Sequence, residues 1–143
     1  TRLAFMYDYG EGVEEDKILA SKWYRASSEA GNIDSQYRLA FMLATGLGIP
    51  EDDTEALKWY RLSAKQGNKY AQSSLGVMYY NGNGVLKDNL TAHMWFNIAS
   101  ANGYKKAGEW REGLEESMTP GAIEKATAMA RECMMSEYKN CGY

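Results

Sequence analysis

The sequence predicts an all-α fold built as a solenoid of stacked helix-turn-helix repeats. Three observations indicate it: a regular interval of 36 residues, paired glycines once per interval, and apolar faces at helical spacing between the glycines. Self-similarity at such a fixed interval is typical of stacked repeat proteins. The positions that recur are Gly10, Gly46 and Gly82; Gly12, Gly48 and Gly84; Asp16, Asp52 and Asp88; Ala20, Ala56 and Ala92; Trp23, Trp59 and Trp95; and Gly31, Gly67 and Gly103.

The first helix of each repeat is clearest in the third copy. Ala71, Leu75 and Met78 recur at i, i+4 and i+7, which places them on one apolar face. Small residues on this helix, such as Gly76, predict close approach of a neighbouring helix. The paired glycines that follow allow positive φ angles, which end the helix and reverse the chain.

The second helix of each repeat begins at the recurring aspartate, because an Asp side chain accepts hydrogen bonds from the free amides of a first helical turn. The small and aromatic residues that follow at i, i+3 and i+4 predict a packed face. We expect Trp23, Trp59 and Trp95 to lie in the core, where tryptophan packs more often than it stacks on a ligand. Gly31, Gly67 and Gly103 are expected to end these helices.

The last 40 residues leave the interval and predict a capping unit. Ala107, Trp110 and Leu114 indicate one further helix, and Thr119-Pro120 is a typical start of another. A solenoid needs such an atypical end to hide its last apolar face from water. The predicted organisation is therefore a single array with repeats at 1–31, 32–67 and 68–103 and a cap at 104–143.

These motifs resemble the Sel-one-like repeat (SLR) family, whose members are related to tetratricopeptide repeats. The second copy carries the signature as Gly46-Leu47-Gly48-Ile49, then Asp52, then Ala56-Leu57-Lys58-Trp59-Tyr60, and then Ala64-Lys65-Gln66-Gly67-Asn68. The resemblance covers about residues 1–107 as repeats, and the segments at 118–120 and 130–133 look like the C-terminal cap of bacterial members. It implies a right-handed α-α superhelix, a concave face lined by the first helices, and a scaffold or adaptor role.

Candidate partner-binding positions are those on the first helices that do not belong to the predicted core. They are Phe5, Asp8, Tyr9, Phe41, Thr45, Val77, Tyr80 and Asn81. Exposed aromatic side chains often anchor protein interfaces, so this set favours a protein or peptide partner. The alternative is that Phe5 and Phe41 are half-buried between stacked units. Arg2 and Arg38 could pair with an acidic partner, but we expect them to be solvated surface charges.

Composition and charge restrict the class of partner. The net charge of −3 and the scattered Lys and Arg give no basic footprint, so we expect no nucleic-acid partner. No apolar run reaches the ~20 residues that span a bilayer, so we expect no membrane insertion. The sequence does not set an oligomeric state, and a monomer is our expectation.

Cys133 and Cys141 are the two cysteines of the chain. Their number alone fits either free thiols or one disulfide. A bond between them would clip the C-terminal tail to the capping helix. The resemblance is compatible with such a bond, since bacterial members are often exported and several carry disulfides. We therefore expect a periplasmic or secreted protein, with a cytoplasmic location as the alternative. The chain begins in mid-pattern at Thr1, which we interpret as a trimmed piece of a longer protein.

Catalytic chemistry is not expected from this sequence, and neither a metal nor a cofactor is predicted. The single histidine, His93, is expected to be a partly exposed helix residue, since one histidine builds no multi-histidine zinc site. Ser136-Glu137-Tyr138-Lys139 matches the S-x-x-K motif of penicillin-recognising enzymes, but its partner motifs are absent from the sequence. A penicillin-recognising hydrolase and a peptidoglycan- or glycan-binding module remain alternatives, the second if Trp110 or the tyrosines prove exposed.

Overall fold

The computed structural model describes residues 1–142, which form eight α-helices and contain no β-strand. The helices are α1 (Arg2–Tyr9), α2 (Lys17–Glu29), α3 (Ile33–Thr45), α4 (Asp53–Lys65), α5 (Lys69–Asn81), α6 (Asn89–Ala101), α7 (Lys105–Glu115) and α8 (Pro120–Met135). They group into two compact units, Thr1–Ser63 and Ala64–Tyr143. The all-α prediction is confirmed.

The helices begin and end where the recurring residues predict. The carboxylate of Asp16 accepts a hydrogen bond from the amide of Leu19, and Asp88 accepts one from the amide of Thr91. At the other end, Gly10 follows α1 with a φ of 70°, in the left-handed region that glycine adopts without a steric penalty. Local chain chemistry therefore determines the helix boundaries.

The core of the first unit is formed by α1, α2, α3 and the part of α4 up to Ser63. Ala4 and Ala20 are fully buried together with Leu39 and Ala40, so small side chains stand where the helices come close. Gln36 is also buried, and its side-chain amide donates to the carbonyl of Ser28 at 3.2 Å. The same carbonyl accepts a bond from the amide of Gly31 at 3.0 Å, so Gln36 adds a second donor at the end of α2.

The core of the second unit is built around Phe96. Phe96 packs with Ala92, Ala99, Ala107 and Leu114, which join α6 to α7. Gly76 of α5 lies against the same ring, since a Cβ added there would meet Phe96 Cε1 at 2.5 Å. The prediction that a small residue on the first helix permits close packing is confirmed at this position.

The three recurring tryptophans differ in burial, so the core assignment needs one correction. Trp95 is fully buried and Trp59 is 7% exposed, whereas Trp23 is 43% exposed. Trp59 is held by its own helix, because its Nε1 donates to Glu55 at 3.2 Å. The first repeat has Leu19 at the position of Glu55, and leucine offers no acceptor. The prediction that Trp23 is a core residue is wrong.

The C-terminal region caps the second unit. Thr119 accepts a hydrogen bond from the amide of Ala122, and Pro120 is the first residue of α8, as predicted. A disulfide joins Cys133 on α8 to Cys141, with their Cα atoms 4.6 Å apart. The tail is also tied to α6, because Asn102 donates to the hydroxyl of Tyr138 at 3.0 Å.

Candidate functional site

The prediction that Asp8 binds a partner is wrong. Its side chain is completely buried in the first unit. Arg38 donates to both carboxylate oxygens, from Nε at 2.6 Å and from Nη2 at 2.8 Å. Lys17 and the hydroxyl of Tyr24 each donate at 3.1 Å. Asp8 therefore cannot contact a partner, and Arg38 is a structural ion-pair residue, not a solvated charge.

The electrostatics of this network keep Asp8 ionised. Burial by itself would raise the pKa of Asp8, but the hydrogen bonds and positive charges of Arg38 and Lys17 outweigh it and lower the pKa below 3.8. Burial and the adjacent Asp8 carboxylate raise the pKa of Tyr24, so its hydroxyl stays a donor. Asp8, Lys17, Tyr24 and Arg38 thus form one buried polar network that joins α1, α2 and α3.

An exposed aromatic surface lies directly over this network. Phe5 and Tyr9 are both exposed, with ring centroids 4.5 Å apart. The guanidinium of Arg38 lies 5.3 Å from the ring centroid of Tyr9 and 5.0 Å from that of Phe41. We call Phe5, Tyr9, Arg38 and Phe41 the aromatic patch. Arg38 contacts two predicted binding residues, Tyr9 and Phe41, and Phe5 joins the patch through its contact with Tyr9.

Thr45 lies at the end of α3. It is exposed, and its hydroxyl donates to the backbone carbonyl of Phe41 at 2.7 Å. The hydroxyl is thereby engaged in a bond within the helix, which is common for threonine. Thr45 would contact a partner through its methyl group, or its hydroxyl oxygen would accept a hydrogen bond from the partner.

The second unit contains a cavity of about 620 Å³. The three remaining predicted residues, Val77, Tyr80 and Asn81, all line it from α5. The other lining residues come from α6, α7 and the segment that follows: Phe96, Glu109, Trp110, Gly113, Leu114, Glu116 and Ser117. We call this the α5–α7 cavity. Its size is within the range of ~300–1,000 Å³ usual for ligand-binding pockets.

Trp110 forms part of the wall of the α5–α7 cavity and is 37% exposed. Its ring meets Phe96 edge-on with centroids 5.7 Å apart, and it meets Tyr104 at 6.3 Å. These contacts hold the indole in place while part of it stays open to solvent. The sequence placed Trp110 on a helix of the predicted cap but did not determine whether its ring is exposed.

His93 lies in the interior and is not the partly exposed residue that we expected. It is 1% exposed, and its Nε2 lies 2.7 Å from Oε1 of Glu115 on α7. Nδ1 is buried and has no hydrogen-bond partner among the described residues. The packing of α6 against α7 covers this side chain, which the position of His93 in the sequence could not show.

The S-x-x-K segment belongs to the tail that follows α8. The hydroxyl of Ser136 donates to the carbonyl of Cys133 and accepts from the amide of Asn140, both at 2.9 Å. Glu137 and Tyr138 have positive φ values of 53° and 65°. The serine thus shapes a turn inside the disulfide loop, and this geometry accounts for it without catalysis.

Metal binding and membrane insertion find no support in the part of the chain that the structure describes. Within residues 1–142, no group of three or more His, Cys, Asp or Glu side chains is arranged to hold a metal ion. None of the helices in this part of the chain combines the length and the apolar character needed to cross a membrane.

Comparison with known families decides the identity of the fold. The model of the Sel1 repeat matches three successive segments, at residues 1–32, 33–68 and 69–104. The chain belongs to the Sel1 repeat family. The resemblance drawn from the glycine, aspartate and tryptophan positions is thereby confirmed.

Solved Sel1 repeat structures share this fold. A crystal structure of a Sel1 repeat protein from Oxalobacter formigenes has a TM-score of 0.70 and 32% sequence identity, over 74% of this chain and 42% of that one. A protective antigen of uropathogenic Escherichia coli strains, which displays an SLR fold, has a TM-score of 0.81 and 25% identity, over 96% of this chain and 38% of that one. The Sel1 repeat chain thus spans about two fifths of their length. No curated protein matches it.

Several residues of the α5–α7 cavity were not predicted. Glu109, Leu114 and Glu116 lie on the capping segment, outside the Sel1 repeats, so comparison between the copies could not find them. Phe96 lies on the packed face predicted for the second helices and is buried, yet its ring also reaches the cavity. Only the packing of α6 against both α5 and α7 brings these residues together.

Proposed function

We propose that this Sel1 repeat chain is a non-enzymatic scaffold that binds a partner protein or peptide through the exposed positions of its first helices. Sel1 repeats in general suit protein interaction, and proteins built from stacked repeats present long surfaces to their partners. Within the proposal, the aromatic patch serves in the first unit, and the α5–α7 cavity serves in the second.

The α5–α7 cavity is the observation that carries the proposal. It combines apolar and aromatic walls from Val77, Phe96 and Trp110 with hydrogen-bonding groups from Tyr80 and Asn81. Interfaces depend on this combination, because a buried anchor supplies most of the free energy while polar groups fix its orientation. The ionisable groups elsewhere, such as Asp8 and Glu115, already hold helices together.

The disulfide supports a location in an oxidising compartment. Bonds such as Cys133–Cys141 persist in the periplasm and outside the cell, whereas cytosolic reductants remove most of them. Both solved relatives come from bacteria. We therefore propose a bacterial protein that acts in the periplasm or after secretion.

Glycan binding is the second candidate function, and the exposure of two aromatic residues favours it. Trp110 is 37% exposed and Tyr80 is 47% exposed, so both rings are open to a flat ligand. An amphipathic ring such as tryptophan offers an apolar face together with a polar edge. Sedimentation of the chain with purified peptidoglycan tests this alternative directly.

The test of peptide binding is a selection of displayed random peptides on the immobilised chain. We expect peptides to be enriched over a blank surface, and we expect Tyr80→Ala to weaken the best of them by more than about tenfold, the scale of an interface anchor. Tyr70→Ala is the matched control, since Tyr70 is 45% exposed on the same helix but does not line the cavity.

The aromatic patch is tested in the same selection with Phe41→Glu. The introduced carboxylate lies next to Arg38 and replaces the ring, so peptides that use this patch should be lost. Ile18→Glu places the same charge on an exposed apolar residue of the first unit that lies outside the aromatic patch. If no peptide is enriched, or if all four variants bind alike, the scaffold proposal fails; binding to peptidoglycan instead would favour the second candidate.

A further inference from the structure

The charges that line the α5–α7 cavity are all of one sign. Its ionisable acidic residues are Glu109 and Glu116, and no lysine, arginine or histidine is among its lining residues. Three aromatic rings, those of Tyr80, Phe96 and Trp110, form much of the remaining wall. Carboxylates and the faces of aromatic rings both attract cations.

We propose that the α5–α7 cavity recognises a basic side chain, lysine or arginine, of a peptide partner. This inference rests on the proposed function and names the chemistry of the ligand. The aliphatic stem of such a side chain would pack on Val77 and Leu114, and its charged end would lie among the rings and the two carboxylates. Long basic side chains combine these two parts, because their methylene stems bury readily while the head keeps its polar contacts.

The chain's own lysines show that cations approach two of these rings. The ammonium of Lys106 lies 5.4 Å from the ring centroid of Trp110, and that of Lys87 lies 5.5 Å from the centroid of Tyr80. Both distances are within the ~6 Å at which the attraction is significant. Neither lysine lines the cavity, so the space beside the rings and carboxylates is open to a cation from a partner.

An acidic peptide fits this cavity poorly. Its carboxylates would face Glu109 and Glu116 across a short distance, and like charges brought together at an interface oppose binding. The lysines over Trp110 and Tyr80 would offset part of that repulsion, which makes removal of Lys106 informative. A basic ligand competes with Lys106 for the indole, whereas an acidic ligand would gain from its charge.

The experiment uses the full chain and the peptides enriched in the selection described above. We expect lysine or arginine to be over-represented in these peptides, and replacing that residue by norleucine in a synthetic copy should weaken binding. Glu109→Gln together with Glu116→Gln should weaken binding by about fivefold, the effect of two partly exposed charge pairs, and added salt should reduce the difference.

The matched control is Glu112→Gln together with Glu124→Gln. This pair removes the same total charge from exposed residues outside the cavity and should leave binding unchanged. Lys106→Gln should leave the affinity unchanged or raise it. The variants' helix content and melting temperature establish that each is folded.

Three outcomes would overturn the inference. Enriched peptides without basic residues, equal weakening by both glutamate pairs, or loss of binding in Lys106→Gln would each mean that the cavity does not select a cation. All three require that peptides bind, so they differ from failure of the scaffold proposal, in which no peptide is enriched at all. Displacement of the peptide by soluble peptidoglycan fragments, with no dependence on Glu109 and Glu116, would assign the cavity to a glycan and also overturn the inference.

Discussion

Asp8 has a different role in the structure from the one that its position in the sequence predicts. The equivalent positions in the other two repeats are Ala44 and Tyr80, so the residue differs between copies, as a binding residue would. Its carboxylate instead binds Arg38, Lys17 and Tyr24 in the interior. The same network places the guanidinium of Arg38 between the rings of Tyr9 and Phe41. A structural ion pair thus positions the aromatic patch.

Replacement of Asp8 by asparagine should destabilise the first unit strongly. Asp8→Asn leaves the partly buried charge of Arg38 without its carboxylate and removes one of the two carboxylates that pair with Lys17; breaking a buried ion pair typically costs about 3–5 kcal/mol. Urea unfolding at pH 7 measures this loss. Glu14→Gln, an exposed carboxyl group in the same unit, is the control and should change the free energy of unfolding little.

The effect of this substitution should also depend on pH. The pKa of Asp8 is lower in the folded chain than its ordinary value of 3.8, so its stabilising effect is present above that value. It is lost as pH falls through the folded pKa, when the carboxylate takes up a proton. The difference between the parent chain and Asp8→Asn should therefore shrink below about pH 4. An equal difference at pH 7 and in acid would contradict the ionised network.

The second glycine of the paired-glycine turn shows how equivalent residues can have different surroundings in different repeats. Gly12 and Gly48 are equivalent, and both have positive φ, 77° and 73°. Their surroundings differ. A Cβ at Gly48 would meet the backbone oxygen of Lys17 at 2.3 Å, whereas one at Gly12 would meet only the end of Met6 at 3.8 Å. The glycine of the second turn therefore also allows the start of α2 to pack against it.

Alanine substitution separates these two roles. Gly12→Ala should destabilise the chain by about 1–2 kcal/mol, the strain of a left-handed conformation at a residue with a Cβ. Gly48→Ala should destabilise it further, by about 1–3 kcal/mol, because backbone atoms of α2 must also move. Unfolding free energies of the two variants measured side by side provide the test. Equal losses of unfolding free energy would mean that the close approach of Lys17 to Gly48 adds nothing to the cost of the substitution.

The capping helices are the elements that depart most from the repeats, and the first of them, α7, contributes most to the α5–α7 cavity. Trp110, Glu109 and Leu114 all belong to α7. A regular repeat would place another turn with paired glycines after this helix, whereas this chain continues into α8 and the disulfide loop. The cap therefore closes the second unit and also supplies part of its candidate site.

Across the whole molecule, the two cysteines give a direct test of the compartment and of the tail geometry. Protein recovered from an oxidising source and denatured without reductant should contain no titratable thiol, and two should appear after reduction. Cys133→Ser with Cys141→Ser should lower the free energy of unfolding by about 2–3 kcal/mol, since the bond closes a short loop. Two free thiols before reduction would contradict both the bond and the proposed location.

The sequence by itself determined the architecture and most helix boundaries of this chain. Those features depend on local chemistry: glycine permits a left-handed turn, aspartate caps a first turn, and alanine allows close packing wherever it recurs. The recurrence also separated the Sel1 repeats from the cap, and it placed Val77, Tyr80 and Asn81 among the candidate binding residues.

Tertiary structure decided which of the remaining residues are accessible. Asp8 and His93 are polar residues on helices, yet packing buries them beside Arg38 and Glu115. Packing also leaves Trp23 exposed although it occupies the same repeat position as the buried Trp95. Accessibility depends on side chains that are distant in the sequence, whereas the repeat interval encodes only what each helix has in common with its copies.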